Sequence, residues 1–222
     1  MSVDKNITHM HVLEAFEKSK TCPLCYLANA TVNKYMDDLL YENVNDTGLR
    51  KKLAKSKGFC SFHGELLVKH GDALGIAIMH IDQIQLLLNH LKNVSSIFTS
   101  LRNPDQNDWI EHPGCLICEI RKDAEKRHIE TLIELIDDKE LRSYMDSFHG
   151  FCARHLLMTL PKLKDKGQAT YIIELHTRKY ASLLADLKEF CRKSDYRFKD
   201  EHVGHEADSW EKAVHIVSGK IL

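Results

Sequence analysis

Apolar residues recur at intervals of three and four positions along most of this 222-residue chain, as they do on one face of an amphipathic helix. Alternating apolar and polar positions, which would indicate strands, are nearly absent, and the chain contains only 10 glycines and 4 prolines. The pattern therefore predicts an all-α fold. Helices are expected at about 8–18, 22–40, 48–57, 60–70, 74–98, 116–136, 139–148, 152–160, 169–191 and 209–217.

Two of these segments carry apolar stripes that we expect to face the core of a helical bundle. The stripe of the long helix 74–98 has near-ideal helical spacing and consists of Ile76, His80, Ile84, Leu87, Leu91, Val94 and Phe98. The stripe of the last helix consists of Trp210, Val214 and Val217. The second stripe predicts that the C-terminal helix docks on the bundle.

Each half of the chain contains a Cys-x-x-Cys pair followed by a Gly-Phe-Cys-x-x-His motif, with 34 residues between Cys25 and Cys60 in the first half and 33 between Cys118 and Cys152 in the second. The candidate metal ligands of the first half are Cys22, Cys25, Cys60 and His63. Those of the second half are Cys115, Cys118, Cys152 and His155. A single Cys-x-x-Cys pair is a weak signal, but the repetition of both motifs at nearly the same spacing is a strong one.

The repetition extends beyond the ligands, because a shift of 92 places Leu49-Arg50 on Leu141-Arg142 and Gly58 on Gly150. It predicts an internally duplicated helical bundle with two equivalent Cys/His metal sites, one in each repeat. The predicted organisation is a first helical repeat at 1–98, a linker at 99–114, a second repeat at 115–191, and a C-terminal tail with its docking helix at 192–222.

Three cysteines and one histidine form a tetrahedral set that is standard for structural zinc. The expected cofactors are therefore two Zn²⁺ ions, and two iron–sulfur clusters, in which histidine ligands also occur, are the alternative. Two further histidines, His80 and His176, hold corresponding places on the third long helix of each repeat and are candidates for a fifth ligand or for a residue that orients a ligand. Glu125 and His128, three residues apart, match half of a carboxylate di-iron motif.

Composition excludes several classes of protein. The formal net charge is -1 with no concentrated basic face, which argues against a nucleic-acid partner. No apolar run is long enough for a membrane span, and Met1 to His11 does not resemble a signal peptide, so we expect a cytoplasmic protein with reduced cysteines. Cys191, the one cysteine outside the motifs, is expected to be a small core residue.

The duplicated motifs resemble those of a largely uncharacterised family of helical proteins from anaerobic bacteria and archaea, and the likeness spans the chain from Cys22 to Trp210. The second Cys-x-x-Cys pair lacks the proline that follows Cys22 in the first pair, which leaves the ligands in place. The resemblance implies metal sites but no particular activity, so the sequence leaves open whether the chain is an enzyme. Two functions remain: a metal-stabilised scaffold that binds a protein or a small molecule, and an iron–sulfur protein of redox or electron-transfer chemistry.

Overall fold

The computed structural model describes residues 6–96, 114–198 and 200–220. Helix is the only regular secondary structure in these ranges, which confirms the predicted all-α class. The α-helices are α1 (Ile7–Lys18), α2 (Pro23–Tyr41), α3 (Thr47–Ser56), α4 (Ser61–His70), α5 (Ala73–Ser96), α6 (Leu116–Leu135), α7 (Lys139–Ser147), α8 (Ala153–Thr159), α9 (Lys166–Lys193) and α10 (Ser209–Ser218). Short 3₁₀ turns occur at Leu160–Lys162, Tyr196–Phe198 and His205–Asp208.

Local sequence accounts for most of the helix boundaries. Aspartates cap α3, α7 and α9, where Asp46, Asp138 and Asp165 accept hydrogen bonds from backbone N–H groups of the first turn. Pro23 occupies the first position of α2, where its missing N–H costs no helical hydrogen bond. The elements of the two halves follow one another in the same order, from α2 to α5 and from α6 to α9.

The chain divides into two compact units, whose limits do not coincide with those of the two predicted repeats. The first unit consists of Met1–Asn29 and Ala124–Leu222, and the second consists of Ala30–Asp123. Helix α2 therefore begins in the first unit and ends in the second, and α6 does the reverse. The predicted linker 99–114 lies outside the described residues apart from Gly114.

Each unit has its own apolar core. In the first unit, α1 packs on α7, and Phe16, Phe148 and Phe151 form an aromatic cluster with ring centroids 5.2–6.0 Å apart. In the second unit, α3 and α4 pack on α5, and Met36, Leu53 and Met79 are fully buried. Cysteines of the motifs are part of both apolar cores. These candidate ligands are therefore buried where the helices pack together.

Two predictions about buried faces are wrong. In α5, Met79 and Gln83 face the core, whereas Ile84 and Leu91 of the predicted inward stripe are exposed. The side chains of Val94 and Phe98, which belong to the same predicted stripe, lie outside the described residues. Helix α10 does pack on α8 and α9, but it does so through the opposite face. Its predicted docking stripe is exposed and consists of Trp210, Val214 and Val217.

Cys191 is exposed near the end of α9 rather than buried as predicted, because only the first half of that helix contributes to the apolar core. Among the described helices, none is both long and apolar enough to cross a membrane.

Candidate metal centres

All four Cys motifs begin a helix, and this position aims their side chains at a common point. The first residue of each motif directly precedes a helix, namely Cys22 before α2, Cys60 before α4, Cys115 before α6 and Cys152 before α8. The second residue follows three positions later, inside the first turn. Side chains at these two positions project from the same end of the helix, where unpaired N–H groups and the helix dipole favour negative charge.

The first cluster consists of Cys22, Cys25, Cys152 and His155, and all four residues are buried. The imidazole Nδ1 of His155 lies 3.4 Å from the Sγ atoms of Cys22 and Cys25 and 3.2 Å from that of Cys152. The Sγ atoms of Cys25 and Cys152 are 3.6 Å apart. The cluster therefore joins the N-termini of α2 and α8, both of which lie in the first unit.

The second cluster consists of Cys60, His63, Cys115 and Cys118. Here Nδ1 of His63 lies 3.2 Å from the sulfur of Cys60, 3.3 Å from that of Cys118 and 3.6 Å from that of Cys115. The Sγ atoms of Cys60 and Cys118 are 3.7 Å apart. This cluster joins the N-termini of α4 and α6 in the second unit, and in both clusters the four ligand atoms lie within 4.8 Å of one another.

The two clusters consist of the eight cysteines and histidines of the predicted motifs, but their grouping is crossed. We expected Cys22 and Cys25 to meet Cys60 and His63 of the same repeat; instead each Cys-x-x-Cys pair meets the Cys-x-x-His motif of the other half. Helix lengths do not favour the predicted grouping. The 19 residues of α2 carry the chain about 28 Å from its first pair, and the 10 residues of α3 span only about 15 Å, so Cys60 would return to that pair only through its connecting segments.

In each cluster the pKa of one cysteine is lowered, which favours its thiolate, and the pKa of another is raised, which favours its thiol. Hydrogen bonds from the Cys22 and Cys25 thiols and from backbone N–H groups of α8 outweigh burial and lower the pKa of Cys152 to about 3, while burial raises the pKa of Cys22. In the second cluster, burial by itself raises the pKa of Cys115, but contacts with His63 and backbone N–H groups lower it to about 6. Burial and the neighbouring Cys115 charge raise the pKa of Cys118 to about 12.

A buried carboxylate lies beside the histidine of the first cluster. Glu125 on α6 is fully buried, its Oε1 lies 3.5 Å from Nε2 of His155, and its Oε2 accepts a 2.7 Å hydrogen bond from Arg154. Burial by itself raises the pKa of Glu125, but these two partners outweigh burial and lower it to about 2, so Glu125 is ionised. Carboxylates in this position fix the tautomer of a metal-binding histidine and raise its basicity.

The matching positions of the second cluster are apolar. A shift of 93 places Glu125 on Val32, and a shift of 92 places Arg154 on Phe62. The Phe62 ring lies edge-on to His63, with ring centroids 5.0 Å apart. Neither Nε2 of His63 nor Nε2 of His155 has a hydrogen-bond partner among the described residues, but only His155 has a carboxylate, that of Glu125, within 3.5 Å. The half di-iron motif of Glu125 and His128 is not repeated in the first half of the chain, and in the structure Glu125 lies beside His155 of the first cluster.

His176 and His80 join neither cluster among the residues that the structure describes. Both ring nitrogens of His176 are engaged, since Nδ1 donates to the Ile172 carbonyl at 2.8 Å and Nε2 accepts from the Phe151 N–H at 3.1 Å. Tyr180 donates a 2.7 Å hydrogen bond to the Phe151 carbonyl. Helix α9 therefore holds both backbone groups of the residue that precedes Cys152.

His80 of α5 lacks an equivalent contact with the backbone before Cys60 among the contacts of the described residues. Its Nδ1 donates to the Ile76 carbonyl at 2.7 Å, and its ring lies 6.1 Å from that of Phe59. The position that corresponds to Tyr180 is Ile84, which is exposed. The backbone of the second cluster is therefore held by fewer side chains than that of the first.

The two clusters also differ in exposure. Cys118 is exposed and Cys60 is half-buried, whereas every residue of the first cluster is buried. The segment after α10 contributes to the burial of the first cluster. A Cβ atom on Gly219 would lie 3.4 Å from the sulfur of Cys25 and 3.5 Å from that of Cys152, and the carbonyl of Lys220 accepts a 3.0 Å hydrogen bond from Asn29.

Comparison with known proteins identifies relatives of uncharacterised function. The chain is 27% identical over 212 residues to an uncharacterised 23.9 kDa protein encoded in the xynA 3′ region of Caldicellulosiruptor sp. (strain Rt8B.4), and the match covers 94% of this chain and 99% of that protein. No solved structure matches the chain. The model of a family of unknown function, DUF6062, matches residues 3–222, and the chain belongs to this family.

Proposed function

We propose that this protein binds two Zn²⁺ ions, one in each Cys₃His cluster, and acts as a metal-stabilised helical scaffold or binding module. The observation that carries the proposal is the spacing of the ligand atoms. Zinc at ordinary bond lengths places tetrahedral sulfurs about 3.8 Å apart and sulfur and nitrogen about 3.6 Å apart. The S···S separations of 3.6 and 3.7 Å and the S···N separations of 3.2–3.6 Å are close to these edges.

The same spacing is less suited to the alternative, an iron–sulfur cluster in each set. Such a cluster distributes its protein ligands over two or more iron atoms with bridging sulfides between them. Ligand atoms that all lie within 4.8 Å of one another leave space for one ion rather than for several atoms. Four protein ligands also complete the zinc shell, which is typical of structural sites, since catalytic sites keep a position for water or substrate.

Helix N-termini and neighbouring charges support a site with three thiolates. A zinc ion with three thiolates and one neutral imidazole carries a net charge of -1, which two helix N-termini stabilise. In the first cluster, Arg154 adds a positive charge and is paired to Glu125 at 2.7 Å. Each ion would join helix starts that are far apart in the sequence, such as α2 and α8, and structural zinc contributes on the order of 10 kcal/mol to the stability of such small metal-centred units.

Metal analysis of anaerobically purified protein tests the proposal. We expect about two zinc ions per chain and a colourless protein, and cobalt substitution should give the intense visible bands of tetrahedral thiolate sites. The variant Cys22→Ser should bind about one ion, whereas the exposed Cys191→Ser should still bind two. A brown protein that contains iron and sulfide would support the iron–sulfur alternative, and a folded chain without metal would contradict both.

A further inference from the structure

Helix α5 presents a row of apolar side chains to solvent at the spacing of a coiled-coil seam. Exposed residues follow one another at alternating intervals of three and four positions, and they are Leu74, Ala77, Ile81, Ile84, Leu88 and Leu91. This is the a and d pattern of the heptad repeat over two and a half heptads, and we call these six residues the α5 seam. A helix with such a seam buries it against another helix.

The residues that α5 buries within its own unit lie on the other side of the helix. Gly75, Met79 and Gln83 are buried and occupy b, f and c positions of the same heptads. Helices α3 and α4 cover this inner side. Helix α5 therefore has two apolar faces. One packs in the core of its own unit, and the other, the α5 seam, is exposed and is not part of that core.

The α5 seam is almost free of charge, which distinguishes it from other exposed apolar positions. Between Ala73 and Leu91 the only aspartate, glutamate, lysine or arginine is Asp82. Arg50 of α3 already neutralises Asp82 through two hydrogen bonds of 2.6 and 2.8 Å. By contrast, exposed Ile173 of α9 lies in a helix that contains lysines, arginines and glutamates. Two copies of the seam can approach without repulsion between like charges.

The exposed area is sufficient for a specific interface between two copies. The large side chains of the seam are 46–72% exposed, from Leu88 at the lower limit to Leu74 at the upper. Their burial in a pair of helices would remove about 500 Å² from water on each copy, or about 1,000 Å² in total, which is the lower limit of specific interfaces. The seam extends over about 26 Å of helix.

We infer that the α5 seam is a self-association surface, at which α5 of one copy packs on α5 of a second copy in a two-fold dimer. A two-fold contact uses the same surface on both partners, so an uncharged apolar row needs no separate complement. The proposal concerns residues outside both metal clusters and does not depend on the identity of the metal.

Sedimentation equilibrium of the full-length chain tests this inference. At about 100 µM we expect the mass of a dimer, which corresponds to a dissociation constant below that concentration. Ile81→Lys and, independently, Leu88→Glu should each give a monomer with unchanged helix content by circular dichroism, because both side chains are exposed. The matched control Ile173→Lys, which replaces an equally apolar exposed residue on α9, should remain a dimer.

Two results would overturn the inference. One is a wild-type chain that remains monomeric at this concentration. The other is a dimer that both Ile81→Lys and Leu88→Glu leave intact, since the contact would then lie elsewhere.

Discussion

Glu125 shows how one side chain can make two similar Cys₃His clusters unequal. Its carboxylate is fully buried between Arg154 and the ligand His155, and the matching position of the other half is Val32. An ionised carboxylate at this depth is stable only because both partners are present. We therefore attribute to Glu125 the orientation of His155, and with it part of the metal affinity of the first cluster.

The substitution Glu125→Gln should weaken zinc binding at the first cluster by about 10- to 100-fold, the usual effect of losing a carboxylate behind a ligand histidine. Competition with a chromophoric chelator measures this affinity. Glu130→Gln is the matched control, because it removes a carboxylate of the same helix that pairs only with Lys162 at the surface. Equal affinities for the two variants would contradict the assigned role.

His176 acts on the backbone next to Cys152 rather than on a metal. Burial lowers the pKa of His176, which keeps the ring neutral and leaves Nε2 free to accept the Phe151 N–H. The substitution His176→Phe preserves an aromatic ring but leaves that buried N–H without an acceptor. It should lower the free energy of unfolding by about 1–3 kcal/mol.

Guanidinium denaturation of metal-loaded protein measures this loss. The control His202→Phe replaces an exposed histidine and should change the stability little. A His176→Phe variant that is as stable as the control would show that the Phe151 contact is dispensable.

At the scale of elements, the two clusters differ in what covers them. Helix α9 and the segment after α10 close the first cluster through Tyr180 and Gly219, whereas Cys118 of the second cluster is exposed. Access of a competing ligand to a bound ion depends on this cover. The proposed ions should therefore leave the protein at different rates, even though their ligand sets are the same.

Chelation should release one equivalent of zinc rapidly from the second cluster and one equivalent slowly from the first. Stopped-flow mixing with an excess of chelator records both phases. Gly219→Val should accelerate only the slow phase, because any side chain at this position meets the sulfurs of Cys25 and Cys152. The positive φ of 74° also strains a β-branched residue at this position. A single phase for the wild-type protein would contradict the assigned difference in cover.

At the scale of the whole molecule, the crossed grouping of the ligands distinguishes this fold from a pair of independent repeats. Each compact unit contains one complete cluster, and each cluster takes its cysteine pair from one half of the sequence and its Cys-x-x-His motif from the other. Neither predicted repeat contains a complete cluster, so we expect neither repeat to bind zinc when it is expressed separately.

Paired substitutions test the crossed grouping directly. The double variant Cys22→Ser/Cys152→Ser damages one cluster and should retain about one zinc ion per chain, whereas Cys22→Ser/Cys60→Ser damages both and should retain none. Ligand sets confined to each repeat would give the opposite result. Elemental analysis of the purified variants measures both, and Cys191→Ser added to either variant should change nothing.

The local sequence was sufficient to predict the helices and the residues that form the two Cys₃His clusters. Apolar spacing, capping aspartates and Pro23 act over a few residues, and the structure has helices close to each predicted position. The eight cysteines and histidines of the repeated motifs are the eight residues of the two clusters, because a Cys-x-x-Cys or Cys-x-x-His motif at a helix start aims both of its side chains at one point. The duplication itself stays a prediction that rests on the sequence.

Only the tertiary structure decided which motifs meet and which faces are covered. Whether Cys22 and Cys25 meet Cys60 or Cys152 depends on how far α2 and α3 carry the chain, which is a property of helix lengths and packing rather than of any motif. The apolar spacing of α5 predicted an inward stripe that includes Ile84, whereas the packing of α3 and α4 determined that Met79 is buried and Ile84 exposed. A sequence records which residues can be buried, but the neighbours that bury them are supplied by distant parts of the chain.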